Sequence, residues 1–118
     1  MKITIYHNPR CQKSRQGLAV VQQKFPDAKV VSYMKEGIVA EDLRRIAKKM
    51  DVDMEFLVRK KEDFYKKNLA GKELTENEWI QIIRQQPQLL HRPIVEIENE
   101  AVIGRPVEAL KQWMDRLG

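Results

Sequence analysis

The amino-acid sequence predicts an α/β fold with a four-stranded mixed sheet. The element order is β-α-β at the start, β-β-α at the end, and a central helical insertion at about residues 38–88. Three observations predict it. Short runs rich in β-branched residues lie near both ends of the chain. Between them, apolar residues recur at spacings of three and four, the period of one helix face. Turn residues, among them Asn8-Pro9 and Pro26-Asp27, separate the two kinds of segment. The 118 residues suit one domain over 1–118, and no repeat, linker or low-complexity tract divides them.

Ile3, Ile5 and Tyr6 form the first strand, which Asn8-Pro9 ends. Leu18, Val21 and Phe25 then mark one face of a helix that Pro26-Asp27 stops. Lys29 to Tyr33, with Val30 and Val31, reads as a second strand. Strand, helix and strand within about thirty residues form a unit whose strands pair in parallel. After Gly37 the stripe Leu43, Ile46, Ala47, Met50 predicts a helix, and Met54 to Val58 a shorter one capped by Asp53. Thr75 and Glu78 have the spacing of a capping box, opening a helix that turns Trp79, Ile82 and Ile83 inward and stops before Pro87. Ile94 to Ile97 and Ala101 to Ile103 flank Glu98-Asn99-Glu100 as a hairpin. Pro106 suits the first position of a last helix carrying Val107, Leu110, Met114 and Leu117.

Apolar residues make up 42% of the chain and charged ones 33%, an ordinary soluble balance. No apolar run has the length of a membrane span, and Met1 leads into a strand without a signal peptide, so a cytoplasmic protein without a membrane partner is expected. The net charge of +5 and pI near 9.4 raise nucleic-acid binding. Yet Lys48-Lys49, Arg59-Lys60-Lys61 and Lys66-Lys67 alternate with acids, and no aromatic platform or helix-turn-helix signal accompanies them. They read as solvated helix faces, with no nucleic-acid partner.

One cysteine cannot form an internal disulfide, and two histidines do not make a zinc cluster, so no metal site is expected. Cys11 is therefore a packed structural residue or a reactive thiol. It lies in His7-Asn8-Pro9-Arg10-Cys11-Gln12-Lys13-Ser14-Arg15, between the first strand and the first helix. Free amides and the helix dipole favour negative charge there and lower a thiol pKa. Arg10, Lys13 and Arg15 add positive potential, and Ser14 can donate to the sulfur. These polar, basic surroundings favour the reactive thiol. His7 either assists proton transfer or tunes the thiolate, or it simply faces solvent.

Arg92 and Arg105 each precede a proline, which biases them to extended backbone, whereas Arg59 in Leu57-Val58-Arg59-Lys60-Lys61-Glu62 has less local support. Guanidinium forks suit tetrahedral oxyanions. A surface ion pair is the alternative for each arginine, and spacing alone does not decide.

The pattern His-Asn-Pro-x-Cys-x-x-Ser-Arg, followed by Arg-Lys-Lys-Glu, Arg-Pro-Ile-Val and Gly-Arg-Pro-x-Glu, spans nearly the whole chain. It resembles the glutathione- and glutaredoxin-dependent arsenate reductase family. The resemblance implies a thioredoxin/glutaredoxin-like fold with a helical insertion and a cis bond before Pro93. It implies Cys11 as nucleophile, Arg59, Arg92 and Arg105 as anion ligands, and His7, Ser14 and Arg15 as supporting residues. It further implies arsenate as substrate, glutathione as co-substrate, glutaredoxin as partner and no bound cofactor. The family's best-known members have Gly-Thr-Ser where this chain has Gln12-Lys13-Ser14, and a longer C-terminal tail. The chain is also similar to the Spx family of redox-linked regulators that bind RNA polymerase, many of which use a Cys-x-x-Cys switch. Ser14 stands at the second position here, which excludes that switch. A thiol oxidoreductase acting on another substrate, such as a glutathione mixed disulfide, is a third reading.

Overall fold

A computed structural model describes residues 1–117. In chain order the elements are β1 (Thr4–Tyr6), α1 (Gln12–Lys24), β2 (Lys29–Val31), α2 (Tyr33–Glu36), α3 (Ala40–Met50), α4 (Asp63–Asn68), α5 (Glu76–Gln85), β3 (Ile94–Glu96), β4 (Ala101–Ile103) and α6 (Val107–Arg116). Single 3-10 turns occupy Met54–Leu57 and Pro87–Leu89. The chain divides into two units: Met1–Glu36 with the segment from Arg92 onward, and Gly37–His91.

The first unit holds the four-stranded mixed sheet, in the order β2-β1-β3-β4. β1 and β2 are parallel, in the register Ile5↔Val30, as a β-α-β unit requires. β3 runs antiparallel to β1 (Ile5↔Val95) and to β4 (Val95↔Val102). Side chains alternate across the sheet. Ile3, Ile5, Val95 and Ile97 lie in one buried cluster with Val21 of α1 and Leu110, Trp113 and Met114 of α6. On the other face, Tyr6 Oη donates to the buried Glu96 carboxylate at 2.7 Å. At the far end of α1, Lys24 Nζ donates to Met114 O at 2.6 Å, so a cation closes the carbonyl end of α6.

In the helical unit, α3 buries Leu43, Ile46 and Ala47, and ends on Asp51 in the left-handed region (φ 57°). Asp53 caps the first 3-10 turn by accepting from Phe56 N. The capping box of α5 is complete: Thr75 Oγ1 accepts from Glu78 N at 3.1 Å, and Glu78 Oε1 accepts from Thr75 N at 2.9 Å.

Several expectations need adjustment. The second strand stops at Val31, because Tyr33 opens α2. α5 buries Ile80 rather than Ile82, and α6 buries Trp113 in addition to Leu110 and Met114. Pro106 caps α6 with extended ψ (162°) instead of standing in its first turn. The sequence pattern does not announce α4, which has no buried residue and hence no apolar stripe to reveal it. The Arg92–Pro93 bond is cis, as the resemblance implies, and so is Arg105–Pro106. No helix among the described residues is long and apolar enough to cross a membrane.

Thr75→Ala removes one member of the α5 capping box and leaves the Glu78 amide without its partner. Urea denaturation should find the protein about 1 kcal/mol less stable. An unchanged midpoint would mean that the box contributes nothing to holding this helix.

Candidate active site

Three chain segments meet at one end of the sheet. His7 N donates to Val31 O at 2.8 Å, carrying β1 one residue further before it turns into the Cys11 loop. The register Tyr6↔Ile94 sets the start of β3 beside that turn. Ile94 pairs with Ile103, and Gly104 N donates to Pro93 O at 2.7 Å, so the β3–β4 ladder continues past the strands. Arg92 and Arg105 therefore leave the sheet from the end at which β1 delivers Cys11.

The loop is shaped by Asn8. Its side-chain oxygen accepts from Arg10 N at 3.0 Å, and its carbonyl accepts from Cys11 N at 3.0 Å, a turn typical of an Asn-Pro sequence. Cys11 is the N-cap of α1, in extended conformation (φ −96°, ψ 120°), and its carbonyl accepts the first helical bond from Arg15 N. The sulfur thus sits where the helix presents its unpaired amides.

The half-buried thiol feels opposing influences. Burial pushes its pKa up; the Ser14 amide, the Arg92 guanidinium and the Lys13 amide together outweigh that, and the pKa lies below the ordinary thiol value. These donors act on the sulfur without closing a capping hydrogen bond of ordinary geometry. A sulfur so placed is biased toward the thiolate, the nucleophilic form.

His7 is buried, at 5% exposure, which sets aside the solvent-facing alternative. Its Nδ1 lies 2.8 Å from Ser14 Oγ, and the same oxygen accepts from Asn8 N at 3.0 Å. Burial is the main cause that lowers the His7 pKa; the Ser14 backbone offsets part of this, and the charge of Arg15 adds to it. His7 and Asn8 engage the Ser14 hydroxyl, and the residue's backbone amide acts on the sulfur.

Arg15 folds back over the loop, donating to Pro9 O at 2.7 Å. Arg10 and Lys13 are exposed. Lys2, Arg10, Lys13, Arg15 and Lys24 are the charged residues of the first 26, and no acid precedes Asp27, so this segment carries the chain's whole +5 excess. Arg10, Lys13 and Arg15 are the three of these beside Cys11 in the chain, and their charge favours approach of anions to the thiol.

Cys11, His7, Ser14, Arg15, Arg92, Pro93 and Arg105 all belong to the sheet-bearing unit. Arg59 belongs to the helical unit, where its amide donates to Leu89 O and its Nη1 donates to Glu62 Oε2 at 2.6 Å. Two residues escape a reading of the sequence. Gly17 and Gly104 both face the Pro93 ring: a Cβ added to them would stand 2.6 and 3.0 Å, respectively, from Pro93 Cγ. The available signal for Gly17 is a glycine inside a helical pattern, which marks close approach of another element.

Comparison with known proteins gives a consistent set of likenesses. The model of the ArsC family matches residues 6–113. The Escherichia coli (strain K12) protein YfgD is 40% identical over 109 residues, covering 91% of this chain and 92% of its own. An arsenate reductase of Haemophilus influenzae is 36% identical over 112 residues, covering 93% and 97%. Among solved structures, a putative arsenate reductase from Yersinia pestis superimposes with a TM-score of 0.86 at 39% identity, covering 94% of this chain and 99% of that one.

Ser14→Ala removes the acceptor of a buried amide and the partner of His7. Denaturation should show a loss of about 1–3 kcal/mol. The thiol should titrate much closer to the unmodified protein than it does in Arg92→Ala, because the backbone amide at position 14 remains. Folded His7 takes its proton at lower pH than unfolded His7, so below about pH 6.5 the unfolded state binds more protons. Stability should therefore fall as pH drops through that window, and His7→Gln should flatten the fall in urea midpoints between pH 7 and pH 5.

Proposed function

The chain belongs to the ArsC family, and from that premise we propose that it is an arsenate reductase using Cys11 as nucleophile and glutathione with glutaredoxin as electron source. The observation that carries the reading is the Cys11 sulfur at the N-terminus of α1, with the Ser14 and Lys13 amides and the Arg92 guanidinium acting on it. It is supported by the arsenate reductases among the relatives and by the concentration of positive charge in the segment holding the thiol.

The Cys11 thiolate attacks arsenic, and an arsenate hydroxyl takes a proton from solvent and leaves as water, giving a sulfur–arsenic bond with arsenic still pentavalent. Glutathione thiolate then attacks the Cys11 sulfur. The sulfur–arsenic pair passes to arsenic, which departs as arsenite, and a mixed disulfide remains. Glutaredoxin resolves it by thiol exchange and returns Cys11 as thiolate. Arg92 and Arg105, leaving the same end of the sheet, hold the oxyanion with paired charge-assisted hydrogen bonds. Arg59 is the third anion ligand in this reading, and arsenate competes with Glu62 for its guanidinium. His7 stays neutral near pH 7 and supports the loop through Ser14.

Arsenite release is measured with arsenate, glutathione and glutaredoxin. Cys11→Ser should abolish it with the fold intact. Arg92→Ala, Arg105→Ala and Arg59→Ala should each lower turnover about tenfold or more, lysine at each position should restore part, and Arg116→Ala on α6 should change little. No arsenate-dependent glutathione oxidation by the intact protein would refute the assignment. Turnover with arginine variants equal to the Arg116 control would refute the arrangement of ligands.

A further inference from the structure

We infer that Gly17 is a positioning residue: its missing side chain lets the Pro93 ring rest against α1 and so sets how closely Arg92 approaches the Cys11 sulfur. Glycine within a helix weakens it relative to alanine, and Gly17 does not have the positive φ that would require glycine. Its justification must therefore lie in what touches it. A Cβ there would stand 2.6 Å from Pro93 Cγ and 3.5 Å from both Pro93 Cδ and Leu110 Cδ2. The first distance is about 1 Å inside ordinary carbon–carbon contact.

The proline ring cannot swing aside as a long side chain could. It is closed onto its own backbone, Pro93 is buried, and Pro93 O accepts from Gly104 N at 2.7 Å. A Cβ at Gly104 would likewise stand 3.0 Å from the same Pro93 Cγ and 3.2 Å from the same Leu110 Cδ2. The same corner of the Pro93 ring thus packs against two glycines, one on α1 and one beyond β4.

This contact joins the two halves of the thiol's environment. α1 carries the sulfur at its cap and the Lys13 and Ser14 amides in its first turn. Gly17 lies one turn beyond Ser14 on the same buried face. Pro93 carries Arg92 as its immediate neighbour. A methyl group at position 17 would separate α1 from Pro93, and Arg92 would retreat from the sulfur while the amides stayed with it.

The inference rests on the Cys11–Arg92 pairing in the proposed function, but its test uses no arsenate. Iodoacetamide alkylation of Cys11 is followed against pH in the unmodified protein, Gly17→Ala, Arg92→Ala and the double variant. Gly17→Ala should move the titration upward by about half a pH unit or more, a roughly threefold loss of thiolate on the acid side. In the Arg92→Ala background the same change should have little effect, since the group it displaces is gone. A purely structural role would shift both backgrounds alike, and that result, or an unshifted Gly17→Ala, would overturn the inference. If Gly17→Ala fails to fold, Gly104→Ala gives the milder test. It should move the titration the same way by less, and an unmoved titration in that folded variant would overturn the inference too. A protein that passes while inert toward arsenate would retain the positioning role and lose only the substrate.

Discussion

Negative charge on one sulfur needs donors already in place around it, and in this protein they come from two separate sources. The amides of Lys13 and Ser14 belong to the helix that Cys11 itself caps, so they follow the sulfur wherever α1 goes. Arg92 reaches it from a segment some eighty residues later in the chain, and its position depends on the sheet. Burial opposes the charge, and the two sources together outweigh it. The order β2-β1-β3-β4 reconciles the two, because it lets β1 end where β3 begins.

The loop between β1 and α1 then has little freedom. Asn8 ties its start through both its side chain and its carbonyl, and the His7–Ser14 pair fills the space beneath it with satisfied polar groups. Keeping His7 neutral avoids a buried cation beside Arg15. Gln12 and Lys13, where the chain departs from Gly-Thr of the best-known arsenate reductases, have exposed side chains. Lys13 serves the sulfur through its amide, which any residue other than proline supplies. That departure changes the side chains around the thiol and keeps the backbone amide at position 13.

Much of this is legible in the sequence because it is local. Alternation in Ile3-Thr4-Ile5, the stripe of α3 and the Thr75–Glu78 box each record a short-range rule, and all three elements form as expected. Cys11 at a helix start is equally visible, since strand, Asn-Pro turn and helix are contiguous. The failures have a common cause. That the Ser14 amide acts on the sulfur, and that His7 is buried, depend on packing that no spacing encodes. Ile80 displaces Ile82 from the buried face of α5 for the same reason. Gly17 can be noticed as an oddity within α1, but its partner Pro93 lies in another element and only the folded chain brings them together.

Cys11 is held toward its charged form by the amides at the start of α1 and by Arg92. The most direct measurement is a pH titration of the Cys11 Cβ carbon-13 chemical shift by NMR in the unmodified protein, with no substrate present. A single transition is expected, with its midpoint below that of the same thiol in the urea-unfolded protein. A midpoint at or above the unfolded one would mean that burial prevails over the donors and that Cys11 is not held toward its charged form.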